Sequence, residues 1–331
     1  MVAILILNWN GFEDTIECLK SLLASNNQDF FIIVGDNGST NDSINNIERF
    51  LINDNIEYCK VVYGEDNLPN NLCKVVLCDL KVNNGFSRGN NMMLTLASQY
   101  LPNYYLFLNN DTEVEPNFLH LLVSFQREHK QFTILTPLIY YYSNKEKIWN
   151  AGGKLRFGFR KYYYGGSSDI RFNKGDFIEC SFITGCALFV TPDILMENKK
   201  VFTERFFFGE EDFEFSMRQN LLKNKMACVC DSVIYHKVGS SSKNHSNLSK
   251  IYIHYLNRFI DMRLSFPNIK YILWKGIYVP YIYILLRKTY PSLICLKFLS
   301  LLVAESKRLD SVDKRYFDNI MSLDLLERLK V

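Results

Sequence analysis

The chain has 331 residues, 48% hydrophobic and 22% charged, an ordinary globular composition with room for one large α/β domain and an appendage, or for two domains. Its net charge of +3 is unevenly placed: residues 243–315 hold 13 Lys and Arg against 4 Asp and Glu, so the rest is net acidic. Nine scattered cysteines show no paired CxxC or Cys/His ligand spacing, which argues against a zinc or disulfide framework and for reduced thiols in a cytosolic compartment.

The chain begins MVAILILNWNGF, an apolar strand with no basic leader and no small-residue cleavage site, so a signal peptide is not expected. The apolar run 2–7 ends on Asn8-Trp9-Asn10-Gly11, and 12–23 carries helical spacing through Ile16, Leu19, Leu22 and Leu23. A second strand, 30–34, ends on the polar loop Gly35-Asp36-Asn37-Gly38-Ser39-Thr40-Asn41-Asp42, and 45–51 reads as helix. Strand, polar loop and helix in alternation predict a parallel, doubly wound sheet. A third strand at 75–80 precedes Asn83-Asn84-Gly85-Phe86-Ser87-Arg88-Gly89-Asn90-Asn91, with a helix expected over 92–100. Next come a strand at 104–108, the polar stretch Asn109-Asn110-Asp111-Thr112, a helix at 118–129 and a strand at 134–139. Residues 148–190 are strand-and-loop material rich in aromatics and glycine, 203–218 an aromatic loop entering an acidic helix, and 226–235 a strand. From Lys250 the pattern is helical and basic. The apolar stretches 277–286 and 293–304 are interrupted by Pro280, Arg287-Lys288 and Pro291, a pattern that suits a membrane interface or a helical subdomain packed on the core. No run of about 18 apolar residues occurs, so a membrane-crossing helix is not expected.

In a parallel sheet, the polar loops at Asn8, Asp36, Asn84 and Asp111 share one edge and converge on one crevice. Asp36 is placed to accept from a base N–H or a ribose hydroxyl, Arg88 to reach a phosphate, and Asp111 to hold Mg²⁺ or Mn²⁺ on a diphosphate. Taken alone, the Asp111 stretch reads more readily as an Asx-turn closing a strand. The absence of GxGxxG and GxxxxGK[ST] counts against dinucleotide and P-loop sites. The acids Glu210-Glu211-Asp212-Phe213-Glu214 follow three phenylalanines, and an apolar surround raises a carboxylate's basicity as general-base work requires; the same acids also suit a helix N-terminus. His236, at a strand end, is either a metal or phosphate ligand or a structural histidine.

The ordered motifs NWNG, DNGSTND, NNGFSRGNN, FLNNDT, IWNAGG, FITGCALFV, FFFGEEDFEFSMR and YHKVGSSS closely resemble bacterial family 2 glycosyltransferases. The nearest likeness is to the rhamnosyltransferase-like branch that builds O-antigen, lipopolysaccharide and other cell-surface polysaccharides. The resemblance covers about residues 1–265 and includes Tyr255-Leu256-Asn257-Arg258. It implies the GT-A fold, a Rossmann-like α/β architecture with a mostly parallel central sheet, over 1–245, and a helical, basic, amphipathic extension over 246–331. It further implies Asn8, Asp36, Asn84, Arg88, Asn110 and Asp111 at the nucleotide donor, and Asp111 with His236 at a divalent metal, Mg²⁺ or Mn²⁺. Asp212 is the implied base, paired with Glu211, and Gly185, Cys186, Trp149 and Arg218 lie toward the acceptor. Asn109 stands where the family's metal motif usually has its first Asp, and Glu214 where an Asp is usual. The activity implied is inverting transfer from a nucleoside-diphosphate sugar, dTDP-rhamnose first and a UDP-sugar otherwise. The expected acceptor is a lipid-linked oligosaccharide or a polysaccharide, at the cytoplasmic face of the bacterial inner membrane, without nucleic acid. A nucleotidyltransferase and a non-catalytic scaffold of the same fold are the alternatives; the first would want a glycine-rich basic loop after the first strand, and the second fits poorly with intact Asp36, Asp111 and Glu211-Asp212.

Overall fold

The structure, a computed structural model, describes residues 1–66, 68–238, 247–323 and 325–330, with Asn247 described by its backbone alone. The tail of the YHKVGSSS motif beyond Val238 and the expected boundary at 245/246 lie outside the described residues.

Strands β1 (Val2–Asn8), β2 (Phe30–Asp36), β3 (Tyr58–Val62), β4 (Val75–Asp79) and β5 (Tyr104–Asn109) are interleaved with helices α1 (Phe12–Leu23), α2 (Ser43–Asn53) and α3 (Gly85–Ala97). β1 pairs in parallel with both β2 and β5, β2 with β4, and β4 with β3. The chain therefore runs outward from β1 on one side and returns to add β5 on the other. That reversal makes β1 and β5 the switch point where an α/β sheet opens its ligand crevice. The register levels the ends: Asn8 lies opposite Asp36, and Leu7 opposite Asn109. β1 is apolar throughout because both faces are covered. Val2, Ile4 and Ile6 enter the layer with Leu19, Leu22 and Phe118, while Ala3 and Leu5 enter the opposite layer with Met93 and Phe215.

The second half comprises β6 (Thr112–Val114), α4 (Phe118–Glu128), β7 (Phe132–Tyr141), β8 (Asn144–Asn150), β9 (Gly153–Arg156), β10 (Phe159–Tyr162), β11 (Phe177–Cys180), β12 (Ala187–Val190), α5 (Glu211–Leu221) and β13 (Lys225–His236). β12 inserts antiparallel between β5 and β7, joining both halves into one mostly parallel sheet of eleven strands among the described residues. Being antiparallel, β12 begins where β5 ends, which delivers Gly185 and Cys186 to the Asp111 edge. β9 and β10 form a separate hairpin. The GT-A architecture is the one expected from the sequence.

Helices α6 (Asn247–Ser265), α7 (Asn268–Leu286), α8 (Ser292–Arg308), α9 (Lys314–Ser322) and α10 (Leu325–Lys330) surround a third core built on Tyr252, Phe259, Trp274 and Phe298. They also brace the loop before α5. Phe207 N–H donates to the Val312 carbonyl (2.8 Å), Val312 N–H to Arg205 (3.0 Å), and Arg205 pairs with buried Asp261 (2.8 Å). By length and composition alone, α7 is long and apolar enough to cross a membrane, although Lys270, Lys275 and Pro280 interrupt its apolar run. Tyrosines and Gly276 break its run of strictly aliphatic residues without lowering its mean hydropathy below a spanning value.

Candidate active site

At the β1–β2 edge, buried Asn8 donates to Asp36 Oδ2 (2.8 Å) and accepts at Oδ1 from the Thr15 hydroxyl (2.9 Å). Ser39 closes Asp36 from the other side, its N–H donating to Oδ1 (2.9 Å) and its hydroxyl to Oδ2 (2.8 Å). Asn110 donates to the Gly11 carbonyl (3.2 Å) and to Thr15 (3.0 Å), so β5's end is tied to the same loop. Asn8, Asp36, Asn110 and Asp111 thus come together as one polar edge. Asn84 is the residue before α3; its amide donates to Val82 O (2.7 Å), and its N–H donates to Asn37 (2.9 Å). Its side chain shapes the loop.

Pairing of β6 with β13 sets His236 opposite Thr112, and His236 Nε2 lies 3.1 Å from Asp111 Oδ1. Trp149 stands edge-on to the imidazole, centroids 4.5 Å apart. Burial works against a charged His236, but the neighbouring Cys186 thiol and the Asp111 carboxylate more than offset it, raising His236 to about 10. Burial pushes the Cys186 thiol up. One carboxylate and one imidazole, side by side and buried, suit Mn²⁺ or Mg²⁺, whose binding would displace the proton that His236 otherwise carries. The described residues hold no cluster of three such donors, so the protein would supply two ligands and leave the other positions to diphosphate oxygens and water.

The second centre is the N-terminus of α5, whose first turn carries Glu211, Asp212 and Glu214 against the helix dipole. Glu210, at φ +70°, ends the preceding loop. The three consecutive acids have three different environments. Glu210 is buried against Arg258, which donates from Nε (2.6 Å) and Nη2 to Oε2, with His254 Nδ1 3.5 Å from Oε1. Burial alone would raise this carboxyl; Arg258, His254 and Arg160 hold it well below the ordinary range. Glu211 accepts the Gly209 N–H (2.6 Å) and is raised to about 7, chiefly by burial. Asp212 is also raised by burial, with Arg160 pulling the other way: its Nη1 lies 3.3 Å from Asp212 Oδ1. Arg160 projects from β10 and rests on the rings of Tyr162 and Phe182.

Consecutive residues link the two centres. Cys186 touches His236, and a Cβ on Gly185 would stand 4.0 Å from Asp212 Cβ and 3.3 Å from Phe86. Cys186 therefore lies beside His236, and Gly185 beside Asp212. Two expected residues are elsewhere. Arg88 is exposed on α3 in a pocket with Tyr63, Asn91, Lys200 and Glu204, because the helix begins at Gly85 and turns position 88 away from the strand edge. Arg218 sits one turn after Glu214, which it pairs with at 3.0 Å, and donates to the Val201 carbonyl (2.7 Å), so it braces α5 and does not line the cleft. Arg160 and His254 are site residues that sequence reading did not name, while Glu210 was read only as one of the acidic cluster and Arg258 only as part of the Tyr255–Arg258 motif. In that motif, Asn257 donates to the Phe208 (3.0 Å) and Gly209 (2.8 Å) carbonyls.

The sequence profile described as "Glycosyl transferase family 2" matches residues 3–190, more than half of the chain. No curated protein sequence matches it. Among solved structures, the chain is similar to GalNAc-T7 with UDP, GalNAc and Mn²⁺ (13% identity, TM-score 0.61, 99% of this chain and 58% of that one). It is also similar to S. aureus TarS 1–349 (12%, 0.52, 99% and 91%) and to the mannosyltransferase PcManGT from Pyrobaculum calidifontis in complex with GDP-Man and Mn²⁺ (11%, 0.54, 99% and 85%). The chain spans less than two-thirds of the GalNAc-T7 chain, and at these identities the likeness establishes the fold. With sheet topology, polar strand ends and profile in agreement, the chain belongs to the family 2 glycosyl transferases.

Proposed function

We propose that the chain catalyses inverting, single-displacement transfer of a sugar from a nucleoside diphosphate to an acceptor hydroxyl, with Asp212 as base. The observation that supports this reading is the Gly185-Cys186 link, which brings Asp212 near the Asp111–His236 pair while keeping the two centres separate. Asp212 accepts the acceptor's proton as its oxygen attacks the anomeric carbon. The bond to the phosphate oxygen breaks on the opposite face and the nucleoside diphosphate leaves. Arg160 is a positioning residue whose charge opposes the rise that burial imposes on the Asp212 carboxyl. Glu211, hydrogen-bonded to its own loop, shapes the turn that aims Asp212. Asp36, held by Asn8 and Ser39, receives the base or ribose. Asp111 and His236 would hold Mg²⁺ or Mn²⁺, which offsets charge on the leaving diphosphate.

The donor we propose is dTDP-rhamnose, with a UDP-sugar second. The acceptor is a lipid-linked oligosaccharide or polysaccharide of O-antigen or lipopolysaccharide type, glycosylated at the cytoplasmic face of a bacterial inner membrane. The similar structures solved with UDP or GDP-Man and Mn²⁺ support a nucleotide donor and a divalent cation. The test is Asp212→Asn: transfer is lost while nucleotide binding persists. Near-normal turnover in this variant assigns the base elsewhere.

A further inference from the structure

Helix α7 is apolar on two faces. Tyr271, Trp274, Tyr278, Ile282 and Leu286 are buried in the third core. On the other side, Ile269, Ile272, Leu273, Ile277 and Ile284 recur at helical spacing and are each more than half exposed. Gly276 within this stripe faces open space, and Leu293 and Leu296 of α8 are also more than half exposed. A contiguous stripe of this kind marks an interaction surface. Its charge is of one sign: no Asp or Glu occurs between Asp261 and Glu305, while Lys270, Lys275, Arg287, Lys288 and Lys297 do. Among the described residues none of these five cations is in an ion pair.

We propose that this stripe, with Leu293 and Leu296, is a docking face for an anionic phospholipid bilayer, on which α7 lies in the interface plane. Charge complementarity selects the occupant. A symmetric second copy would set the same five cations against themselves, whereas an anionic leaflet neutralises them while the isoleucines enter the acyl boundary. Crossing the bilayer is opposed by the buried face. Trp274 packs on Phe259 (4.9 Å between centroids), and Tyr278 packs on Phe159 of β10 (5.0 Å). Those contacts would be stripped if lipid surrounded the helix. They also connect the surface to the site, because the hairpin held by α7's inner face carries Arg160. The bilayer would therefore lie about one helix diameter, roughly 10 Å, from that hairpin, which deepens the lipid-linked acceptor reading without depending on the sugar-transfer chemistry.

The test is flotation of the full chain with vesicles of phosphatidylcholine alone and of phosphatidylcholine with phosphatidylglycerol, at low and high salt. The expected result is flotation with the anionic vesicles, weakened by salt and released by alkaline carbonate. Ile272→Ser/Leu273→Ser/Ile277→Ser should reduce partition at least about tenfold, each lost side chain contributing independently. The same variant should keep wild-type thermal stability and nucleotide binding, since the stripe is exposed and outside the site. Failure of nucleotide binding in both proteins would count against the transfer reading and leave flotation to judge the surface. Absence of flotation, carbonate-resistant association, or a stable dimer that the triple substitution dissolves would each overturn the proposal.

Discussion

Arg258 ties the C-terminal helices to the loop that carries the proposed base. Its guanidinium forks onto Glu210, donates to the Gly158 carbonyl at the turn of the β9–β10 hairpin (3.1 Å), and lies over Phe213. Arg258→Met keeps the stem and removes the charge. Breaking a buried ion pair from one side costs about 3–5 kcal/mol; Arg160 (3.9 Å) and His254 (3.5 Å) remain near Glu210, so about 3 kcal/mol is expected. For a chain of 331 residues that is roughly 4 °C in thermal midpoint. The sign with pH follows from Glu210. Its folded carboxyl lies below its unfolded value, so its contribution is complete above about pH 4.3 and disappears as pH falls through the folded value. The deficit of Arg258→Met should therefore be full at pH 7 and shrink below about pH 4.3, and adding Glu210→Gln should restore part of it at neutral pH. Thermal unfolding by circular dichroism across pH measures this. A shift under about 1 °C, or a deficit independent of pH, would refute the argument that a buried charge pair fastens this loop.

Three further outcomes separate roles within the site. Burial raises Glu211 to about 7, above its unfolded value, so the fold loses stability as pH rises from about 4.3 toward 7. Glu211→Gln should match wild type at pH 4 and exceed it by about 2–3 kcal/mol at pH 8 in chemical unfolding. Arg160→Gln should move the acid limb of the transfer rate to higher pH and lower kcat roughly tenfold, leaving nucleotide affinity unchanged; Arg160→Lys should restore part of it. Arg218→Met should destabilise by about 3 kcal/mol through the stranded Glu214 carboxylate while leaving acceptor KM unmoved; a raised KM in protein of normal stability would return Arg218 to the acceptor cleft.

Much of this fold is legible in the chain because both faces of its sheet are covered. β1, β2, β4 and β5 read as unbroken apolar runs ending on polar loops, and parallel pairing brings those loops to one edge. β3 escaped detection because Tyr-Cys-Lys-Val-Val at a sheet edge lacks a clean apolar pattern, and β6 because it has three residues. α3 begins seven residues before its apolar stretch. Its first turns, Gly-Phe-Ser-Arg-Gly-Asn-Asn, carry no apolar period and are tied down by tertiary partners: Asn91 donates to Phe202 O (2.8 Å) and accepts from Val201 and Phe202 (3.2 Å each). That early start also displaced Arg88 from its expected place. Arg160 left no signal, as a single arginine in a Tyr/Gly-rich stretch gains its role from a hairpin folding onto α5. Glu210 read as one of four helix-terminal acids, and the approach of Arg258 on α6, 48 residues away, sets it apart from Glu211 and Asp212.

The most direct measurement is calorimetric titration of the purified chain with dTDP and with UDP, with and without Mn²⁺, repeated on Asp111→Ala. Binding that needs Mn²⁺ in the wild type and is lost or strongly weakened in Asp111→Ala is the predicted result, and the preferred base narrows the donor. No binding of either nucleotide to folded protein, or binding indifferent to both Mn²⁺ and Asp111, would contradict a nucleotide-sugar site at this sheet edge.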